Sequence, residues 1–238
     1  GVRLKQVDQD YRNHLQAFLN FAVKAERKAG KKTVPVFRKF KKFYDYEKEL
    51  EKAKRPIICA GGGVLLSDAR EELKAFAQAH NIPVVSTMMG IGTMPTNHPL
   101  YYGMVGNNGK PYANKAMNNS DLLIMVGARV ADRAVSQPDL ITQNKVLVHI
   151  DVDPAEIGKN MQPYIPVVGD IKDVAVQLKS ALGDYKANAE WCDEVDKLRK
   201  DTAPEISKED NGFVNPRYFL ERLSELTKSE AYITTEVG

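Results

Sequence analysis

The sequence is poor in cysteine and nearly balanced in charge. It contains two cysteines, Cys59 and Cys192, and no Cys-x-x-Cys pair, which excludes a disulfide framework and suits a reducing compartment. Lysine and arginine number 34 against 31 acidic residues, and the resulting net charge of +3 is too small to indicate nucleic acid or an anionic membrane as a partner. These absences predict a cytoplasmic protein that binds neither nucleic acid nor membrane.

Long apolar runs and self-sufficient catalytic motifs are also missing. No run approaches the roughly 18 residues of a membrane span, and the basic N-terminus is not followed by the apolar core of a signal peptide. The sequence contains no Gly-x-Ser-x-Gly, kinase or phosphate-loop motif. Its histidines show no ligand spacing with cysteine or acidic residues. We predict neither a catalytic residue nor a metal site within this chain.

From about residue 56 onwards, short β-branched runs alternate with longer amphipathic stretches. Several of these runs are apolar throughout, which is typical of strands in a parallel sheet that is covered on both faces. We therefore predict an α/β fold with a doubly wound, mostly parallel, Rossmann-like three-layer sheet and flanking helical segments. The predicted strands are 56–60, 83–87, 121–126, 146–151 and 165–168.

From residue 56 onwards, amphipathic stretches predict three helices. The first follows Ser67 and Asp68, which are candidate N-caps, and its buried stripe is predicted to be Ala69, Leu73, Phe76 and Ala77. A charged helix after residue 183 carries Trp191, Val195 and Leu198, and a third helix spans 216–226.

The triplet Gly61-Gly62-Gly63 directly follows the first predicted strand, where bare backbone amides can approach a phosphate or a ring. It is not a dinucleotide fingerprint of the NAD type. Leu66 occupies the place of the third glycine, and Ser86-Thr87 stand where the acid after the second strand is expected. A tight turn without a ligand is the alternative interpretation.

Polar residues follow three further predicted strands. Arg129 and Arg133 can hold pyrophosphate or carboxylate oxygens, with an exposed Arg–Asp pair as the alternative. Asp151 can accept hydrogen bonds from ribosyl or ribityl hydroxyls, whereas Asp153 and Asp170 are also typical helix N-caps. Because ligands in open α/β sheets bind outside the carboxyl ends of the strands, we expect these groups to meet along one edge.

The run from Gly103 to Gly109 lies between the second and third predicted strands and is predicted to be irregular. Close approach of the backbone to a flat ligand explains its glycines, and a flexible loop explains them nearly as well. Met88 and Met89, after the second strand, can pack against an aromatic ring or belong to the core.

Six segments resemble the middle domain of acetolactate synthase large subunits, in the same order and at similar spacing over about residues 46–182. They are AKRPIICAGGGV, PVVSTMMGIGTMP, YYGMVGNNGKPYANKA, DLLIMVGARVADR, VHIDVDPAEIGKN and IPVVGD. The closing AYITTEVG is similar to the opening strand of the thiamine-diphosphate domain of that family. The chain departs from the family pattern in two places, with Asn107-Asn108 in the glycine loop and Val130-Ala131 in the arginine motif.

The resemblance implies a parent enzyme that joins two 2-oxoacids, pyruvate with pyruvate or 2-oxobutyrate, in branched-chain amino-acid biosynthesis. The family uses thiamine diphosphate and Mg²⁺, and it carries an FAD that does no net redox work. Arg133 resembles the arginine that engages the carboxylate of the second 2-oxoacid. The residues that match FAD contacts are Gly62, Gly63, Thr87, Met88, Gly106, Gly127, Arg129, Asp151, Val152, Gly169 and Asp170.

The resemblance also predicts how the chain is divided. Residues 1–45 are an unassigned helical and basic segment, 46–183 an FAD-binding-type central domain, 184–230 a helical linker and 231–238 the start of a thiamine-diphosphate domain. We expect the chain to be a catalytically silent fragment that lacks the thiamine-binding domains of a homo-oligomeric parent, with or without a regulatory subunit. The alternatives are the middle domain of another thiamine enzyme, such as an oxoacid decarboxylase or oxidase, and an interaction module without a ligand.

Overall fold

The computed structural model of the protein describes residues 49–129, 145–157, 165–203, 205–228 and 230–234. The predicted basic segment at the N-terminus and Arg133 lie outside these residues. The chain divides into two compact units, the first ending at Thr202 and the second beginning at Ala203. Among the described helices, none is long and apolar enough to cross a membrane.

Six parallel strands form the sheet of the first unit, in the order β3-β2-β1-β4-β5-β6. The strands are β1 (Pro56–Ala60), β2 (Val84–Ser86), β3 (Tyr101–Met104), β4 (Leu122–Val126), β5 (Val146–Asp151) and β6 (Ile165–Val168). The helices of this unit are α1 (Gly62–Leu66), α2 (Arg70–His80), α3 (Pro111–Asn119), α4 (Ile171–Leu182) and α5 (Ala189–Thr202), and Met88–Gly90 form a 3₁₀ turn.

The core consists of two apolar layers, one on each face of the sheet. Helices α2 and α4 pack on the face that carries Ile58, Ile124 and Ile150. Helices α3 and α5 pack on the opposite face, which carries Leu123 and Leu147. Since both faces are covered, the central strands are buried along their whole length. The predicted doubly wound, three-layer α/β fold is confirmed.

Strand β3 corrects the prediction of an irregular run. Tyr101–Met104 pair with β2 despite Gly103, which has φ +88°. The pairing shifts register between Val84 and Ser86. An edge strand needs only one hydrogen-bonded neighbour, so it tolerates a glycine and an irregular register that would disrupt a central strand. The glycines of this region therefore hid a strand from the sequence pattern.

The predicted N-caps of the first long helix are also wrong. The short helix α1 comes first, and the chain then turns through Ser67 and Asp68, the latter at φ +49°. Ala69 is the N-cap residue of α2 and makes no side-chain capping bond. The predicted buried stripe is confirmed, because its four residues are all at most 3% exposed: Ala69, Leu73, Phe76 and Ala77.

Helix α5 is held on the sheet by the sole tryptophan of the chain. The Trp191 indole is buried, and its Nε1 donates to the Pro56 carbonyl at 2.8 Å. At the other end of the helix, Arg199 Nη2 donates to the Tyr101 carbonyl at 3.0 Å, and its guanidinium lies 4.1 Å from the centre of the Tyr102 ring. Helix α5 thus lies within the first compact unit. The predicted limits of the central domain, 46–183, and of the helical linker, 184–230, stay predictions.

The second unit contains a short antiparallel pair and one helix. Strands β7 (Glu209–Asp210) and β8 (Phe213–Val214) precede α6 (Pro216–Leu226), which confirms the helix predicted at 216–226. Its N-cap is Asn215, whose side chain accepts a hydrogen bond from the Arg217 amide. Residues 231–234 form no strand, and the remainder of the last predicted strand lies outside the described residues.

A lysine is buried at the edge of the sheet where β5 begins. Lys145 is 8% exposed, and its Nζ donates to the Met117 and Asn118 carbonyls at the end of α3, at 2.7 and 3.0 Å. A cation at this position interacts favourably with the helix dipole. Burial nevertheless lowers the pKa of Lys145 to about 8, although the nearby Asp121 carboxylate opposes this shift.

We expect Lys145 to add a rise of on the order of 1–3 kcal/mol to the free energy of unfolding of the wild type between about pH 8 and about pH 10. The thiols of Cys59 and Cys192, whose pKa values burial raises, oppose this rise in every variant, so the test is the difference between the wild type and Lys145→Met. The pKa of Lys145 is lower in the folded than in the unfolded protein, so its buried charge costs stability below about pH 8. That cost disappears as the pH approaches the unfolded value. Urea unfolding of Lys145→Met should lack this rise, with Lys197→Met on the exposed side of α5 as the control. An identical pH dependence of the free energy of unfolding in the wild type and in Lys145→Met would contradict the prediction.

Candidate functional site

The candidate site is the edge of the sheet at which the strands end. We call this edge the rim and define it as residues 61–66, 87–91, 105–110, 127–129, 151–153 and 169–170. All six strands are parallel, so these segments lie at the same edge. Strands β2 and β3 lie on one side of β1, and β4, β5 and β6 lie on its other side. The strand order therefore reverses between β1 and β4. Open α/β sheets bind ligands at such a point of reversal.

The predicted site residues are brought to this one edge. They follow β1 (Gly62 and Gly63), β2 (Thr87 and Met88), β3 (Gly106), β4 (Gly127 and Arg129), β5 (Asp151, its last residue, and Val152) and β6 (Gly169 and Asp170). Arg133 lies outside the described residues. The convergence that the sequence predicts is therefore present, whereas the contact of each residue with a ligand stays a prediction.

Backbone segments after β1 and β4 touch at the centre of the rim. The Gly61 amide donates to the Val126 carbonyl at 2.8 Å, and the Gly63 amide donates to the Gly127 carbonyl at 3.0 Å. A Cβ atom on Gly61 would lie 2.2 Å from the Gly127 oxygen, and Gly127 has φ +55°. Close packing of two backbone turns thus explains Gly61 and Gly127 without a ligand. Gly62 differs, since a Cβ there would face Met89 at 3.2 Å.

Exposed apolar side chains follow β1 and β2. The Thr87 amide continues the sheet by donating to the Ala60 carbonyl at 2.9 Å, and the chain then turns outward. Met88 is 67% exposed and Met89 is 70% exposed, so the core alternative for these methionines is wrong. Leu66, at the end of α1, is 91% exposed. Exposed apolar surface of this kind marks a place where a ligand or another protein surface binds.

The segment after β3 is a closed loop. The Val105 amide donates to the Ser86 carbonyl at 2.9 Å as the chain leaves the sheet, and the Lys110 amide donates back to the Met104 carbonyl at 2.8 Å. A Cβ atom on Gly109 would lie 2.6 Å from that same Met104 oxygen. Glycine is required at position 109 because the loop is compact. This explanation differs from the alternative interpretation, in which the glycines make the loop flexible.

Charged groups follow β4 and β5. Arg129 is exposed at the rim. Asp151 is 9% exposed, and its Oδ1 accepts a hydrogen bond from the Asp153 amide at 2.9 Å. That bond fixes the orientation of the carboxylate at the end of the strand. Val152, between the two acids, is 63% exposed, so an apolar surface lies directly beside the carboxylate.

Two of the acids accept a hydrogen bond from the backbone amide two residues further on. Asp170 is a helix N-cap, as the alternative interpretation predicts, whereas Asp153 begins a turn. Asp153 Oδ1 accepts from the Ala155 amide at 2.9 Å, and Asp170 Oδ1 accepts from the Lys172 amide at 2.9 Å in the first turn of α4. Asp170 still belongs to the rim, because it lies two residues after the end of β6. Its role as a ligand contact stays a prediction.

Sequence reasoning missed two features of this edge. The first feature is the exposure of Leu66, a residue that in the sequence serves only to exclude a dinucleotide fingerprint. No periodic pattern reveals this exposure, because α1 is only about one turn long. The second feature is the burial of His149, which is 1% exposed and lies two residues before Asp151. Burial lowers the pKa of this imidazole, and the charge of Asp151 opposes the shift. Its position within a strand that the sequence predicts to be covered on both faces is the signal that identifies it as a buried, structural histidine.

Comparison with known proteins adds an independent observation. Residues 47–178 match the family described as "Thiamine pyrophosphate enzyme, central domain". The chain is 40% identical over 207 residues to a probable acetolactate synthase large subunit of Methanococcus aeolicus, which covers 80% of this chain and 34% of that protein. It is 37% identical over 193 residues to the acetolactate synthase large subunit of Lactococcus lactis, covering 80% and 33%.

A plant relative gives the same result. The chloroplastic acetolactate synthase 1 of Zea mays is 38% identical over 192 residues, which is 78% of this chain and 30% of that protein. The chain therefore spans about a third of the length of the curated relatives it matches. The family resemblance seen in the sequence motifs is confirmed.

We expect Gly61→Ala to lower the free energy of unfolding by about 1–3 kcal/mol, because its methyl group would overlap backbone atoms that have no room to move. Gly62→Ala is the matched control in the same turn, and its loss should be smaller since the nearest atom is 3.2 Å away. Chemical denaturation of both variants measures the difference. Equal losses would show that the contact between the two turns is not what requires a glycine at position 61.

Proposed function

Because this chain belongs to the family of thiamine pyrophosphate enzyme central domains, we propose that it is the central domain of an acetolactate synthase large subunit. The parent joins pyruvate with a second pyruvate or with 2-oxobutyrate and so serves branched-chain amino-acid biosynthesis. The support for this reaction is the similarity to acetolactate synthases over most of the chain. Within the parent, the rim of this domain binds FAD.

The division of the rim into an apolar and a charged side is the observation that carries the FAD proposal. Met88 and Met89 present apolar surface after β2, whereas Arg129 and Asp151 present charge after β4 and β5. FAD has the same division, with a flat ring system at one end and hydroxyl and pyrophosphate groups further along. Methionine packs favourably against aromatic rings, so the two sides of the rim match the two parts of the molecule.

Each side chain on the charged side has a chemical role in this proposal. The Arg129 guanidinium is a planar fork of donors suited to pyrophosphate oxygens. Asp151 uses one oxygen within its own turn, and its other oxygen accepts from the hydroxyls of the ribityl or ribosyl chain. Val152 supplies apolar surface for a second ring, and Asp170 contacts the same end. Arg133 engages the carboxylate of the second 2-oxoacid.

The remaining contacts come from residues that offer backbone or little side chain. At these positions the ligand contacts the main chain or a short side chain. They are Gly62, Gly63, Thr87, Gly106, Gly127 and Gly169. When bound, FAD fills the rim and does no net redox work, while thiamine pyrophosphate with Mg²⁺, held by other domains of the parent, supplies the chemistry of the carbon–carbon bond.

The same proposal gives the setting of the domain. The domain comprises residues 46–183 of this chain, and the parent is a homo-oligomer with flanking thiamine-binding domains, with or without a regulatory subunit. The parent works in the cytoplasm, in keeping with two unpaired thiols, Cys59 and Cys192. In this setting the rim also helps to exclude water from the reacting centre.

We expect the purified chain to bind FAD and Met88→Ser to weaken that binding by about tenfold, because it removes apolar surface that the ring would cover. Its stability should change by no more than about 0.5 kcal/mol, since the side chain is exposed. The control is Val176→Ser, on α4, which is 56% exposed and lies away from the rim. Quenching of flavin fluorescence measures both affinities. Protein that ignores FAD would favour the ligand-free interaction module, and equal weakening in both variants would contradict the site.

We expect the chain by itself to consume no pyruvate, even with thiamine pyrophosphate, Mg²⁺ and FAD supplied. The sequence contains no Gly-Asp-Gly motif, which the family uses to bind Mg²⁺. A pyruvate-consumption assay tests this, with a full-length acetolactate synthase as the positive control. Turnover above the protein-free background would overturn the assignment of the chain as a domain without catalytic residues.

A further inference from the structure

Asn114, on α3, is hydrogen-bonded to both polar atoms of the Gly106 backbone. Its Oδ1 accepts from the Gly106 amide at 2.9 Å, and its Nδ2 donates to the Gly106 carbonyl at 2.9 Å. The same carbonyl also accepts from the Gly109 amide at 2.9 Å. The polar groups of Gly106 are thus satisfied by the protein itself.

The loop needs such a partner because of its backbone conformation. Gly106 has φ +110°, a value that is open to glycine and to few other residues. A free glycine visits many other conformations, so holding this one costs conformational entropy. Two simultaneous hydrogen bonds from a single side chain offset that cost.

Helix α3 gives Asn114 a fixed base. Ala113 and Ala116 are fully buried on the sheet, and Met117 is 2% exposed. Helix α5 packs against the same helix, and the Asn114 amide donates to the Lys110 carbonyl at 3.1 Å in its first turn. The position of the side-chain amide is therefore set by the core and is independent of any ligand.

We propose that Asn114 is a positioning residue for the rim, which holds the 105–110 loop in one conformation and occupies both hydrogen-bonding groups of Gly106. Gly106 then meets the ligand through its Cα surface and donates no hydrogen bond to it. This inference rests on the proposed function only for the identity of the ligand as FAD. The ordering of the loop is a property of the chain alone.

Asparagine is the residue type that this role requires. Its amide offers one acceptor and one donor at the spacing of a peptide group. Leucine has nearly the same size and neither group, and ionised aspartate accepts but does not donate. Asn114→Leu therefore removes both bonds, whereas Asn114→Asp keeps an acceptor for the Gly106 amide and loses the donor to its carbonyl.

Amide hydrogen exchange of the full chain tests the ordering of the loop without any ligand. We expect exchange at Gly106 and Gly109 to be faster by about tenfold or more in Asn114→Leu and by an intermediate factor in Asn114→Asp. Exchange at Leu123, in the centre of the sheet, should remain as in the wild type. Unchanged exchange at Gly106 in both variants would overturn the proposal.

The control is a second asparagine that bonds a backbone amide away from the rim. Asn188 Oδ1 accepts from the Glu190 amide at 3.1 Å at the start of α5. It lines a cavity of about 560 Å³ together with Arg55 and Asp121, which precede β1 and β4 at the opposite edge of the sheet. Asn188→Leu should leave exchange at Gly106 and Gly109 unchanged.

Titration with FAD tests whether the ordered loop matters for binding. We expect the Kd for FAD to rise by about tenfold in Asn114→Leu and less in Asn114→Asp, and to stay at the wild-type value in Asn188→Leu. Faster loop exchange with an unchanged Kd would overturn the positioning role. A wild type that binds no FAD would refute the proposed function instead, and the exchange data would still decide whether Asn114 orders the loop. If Asn114→Leu does not fold, Asn114→Asp decides by the same criteria.

Discussion

The close contact between the backbone turns after β1 and β4 is the constraint on which the rest of the first unit depends. Gly61 and Gly127 approach so closely that a single methyl group would overlap the neighbouring carbonyl. The two turns can leave the sheet side by side because Gly61 and Gly127 have no side chain that would separate them. The segments after β2 and β3 then lie on one side of this contact and those after β5 and β6 on the other, which gives the rim its length and its two different halves.

The halves of the rim are built by different means. On the β2 and β3 side, the loop after β3 is folded tightly on itself, and the segment after β2 carries the exposed apolar side chains Met88 and Met89. On the β5 and β6 side, Asp151 and Asp170 each use one oxygen to fix the turn they belong to. An acid that is already oriented loses little entropy when it binds a hydroxyl group. The turns after β5 and β6 are therefore held in place by contacts within the chain.

The sequence predicted the features that depend on local pattern. Five strands were found because each is largely apolar and ends at or just before a glycine or a polar residue, and their parallel direction brings the predicted site residues to one edge. Strand β3 was missed because its glycine resembles that of a loop. The exposure of Leu66 and the pairing of Asn114 with Gly106 also escaped prediction. Both depend on where distant segments lie, which the pattern of a single sequence does not contain.

Helix α5 has a consequence for the open side of the sheet. Strand β3 is an edge strand, and edge strands offer unpaired backbone groups to which a strand from another molecule can add. Here the Arg199 guanidinium occupies the Tyr101 carbonyl and lies over the Tyr102 ring. A charged side chain at that margin discourages the addition of a seventh strand. The helix that completes the core thus also protects the protein against aggregation through its sheet.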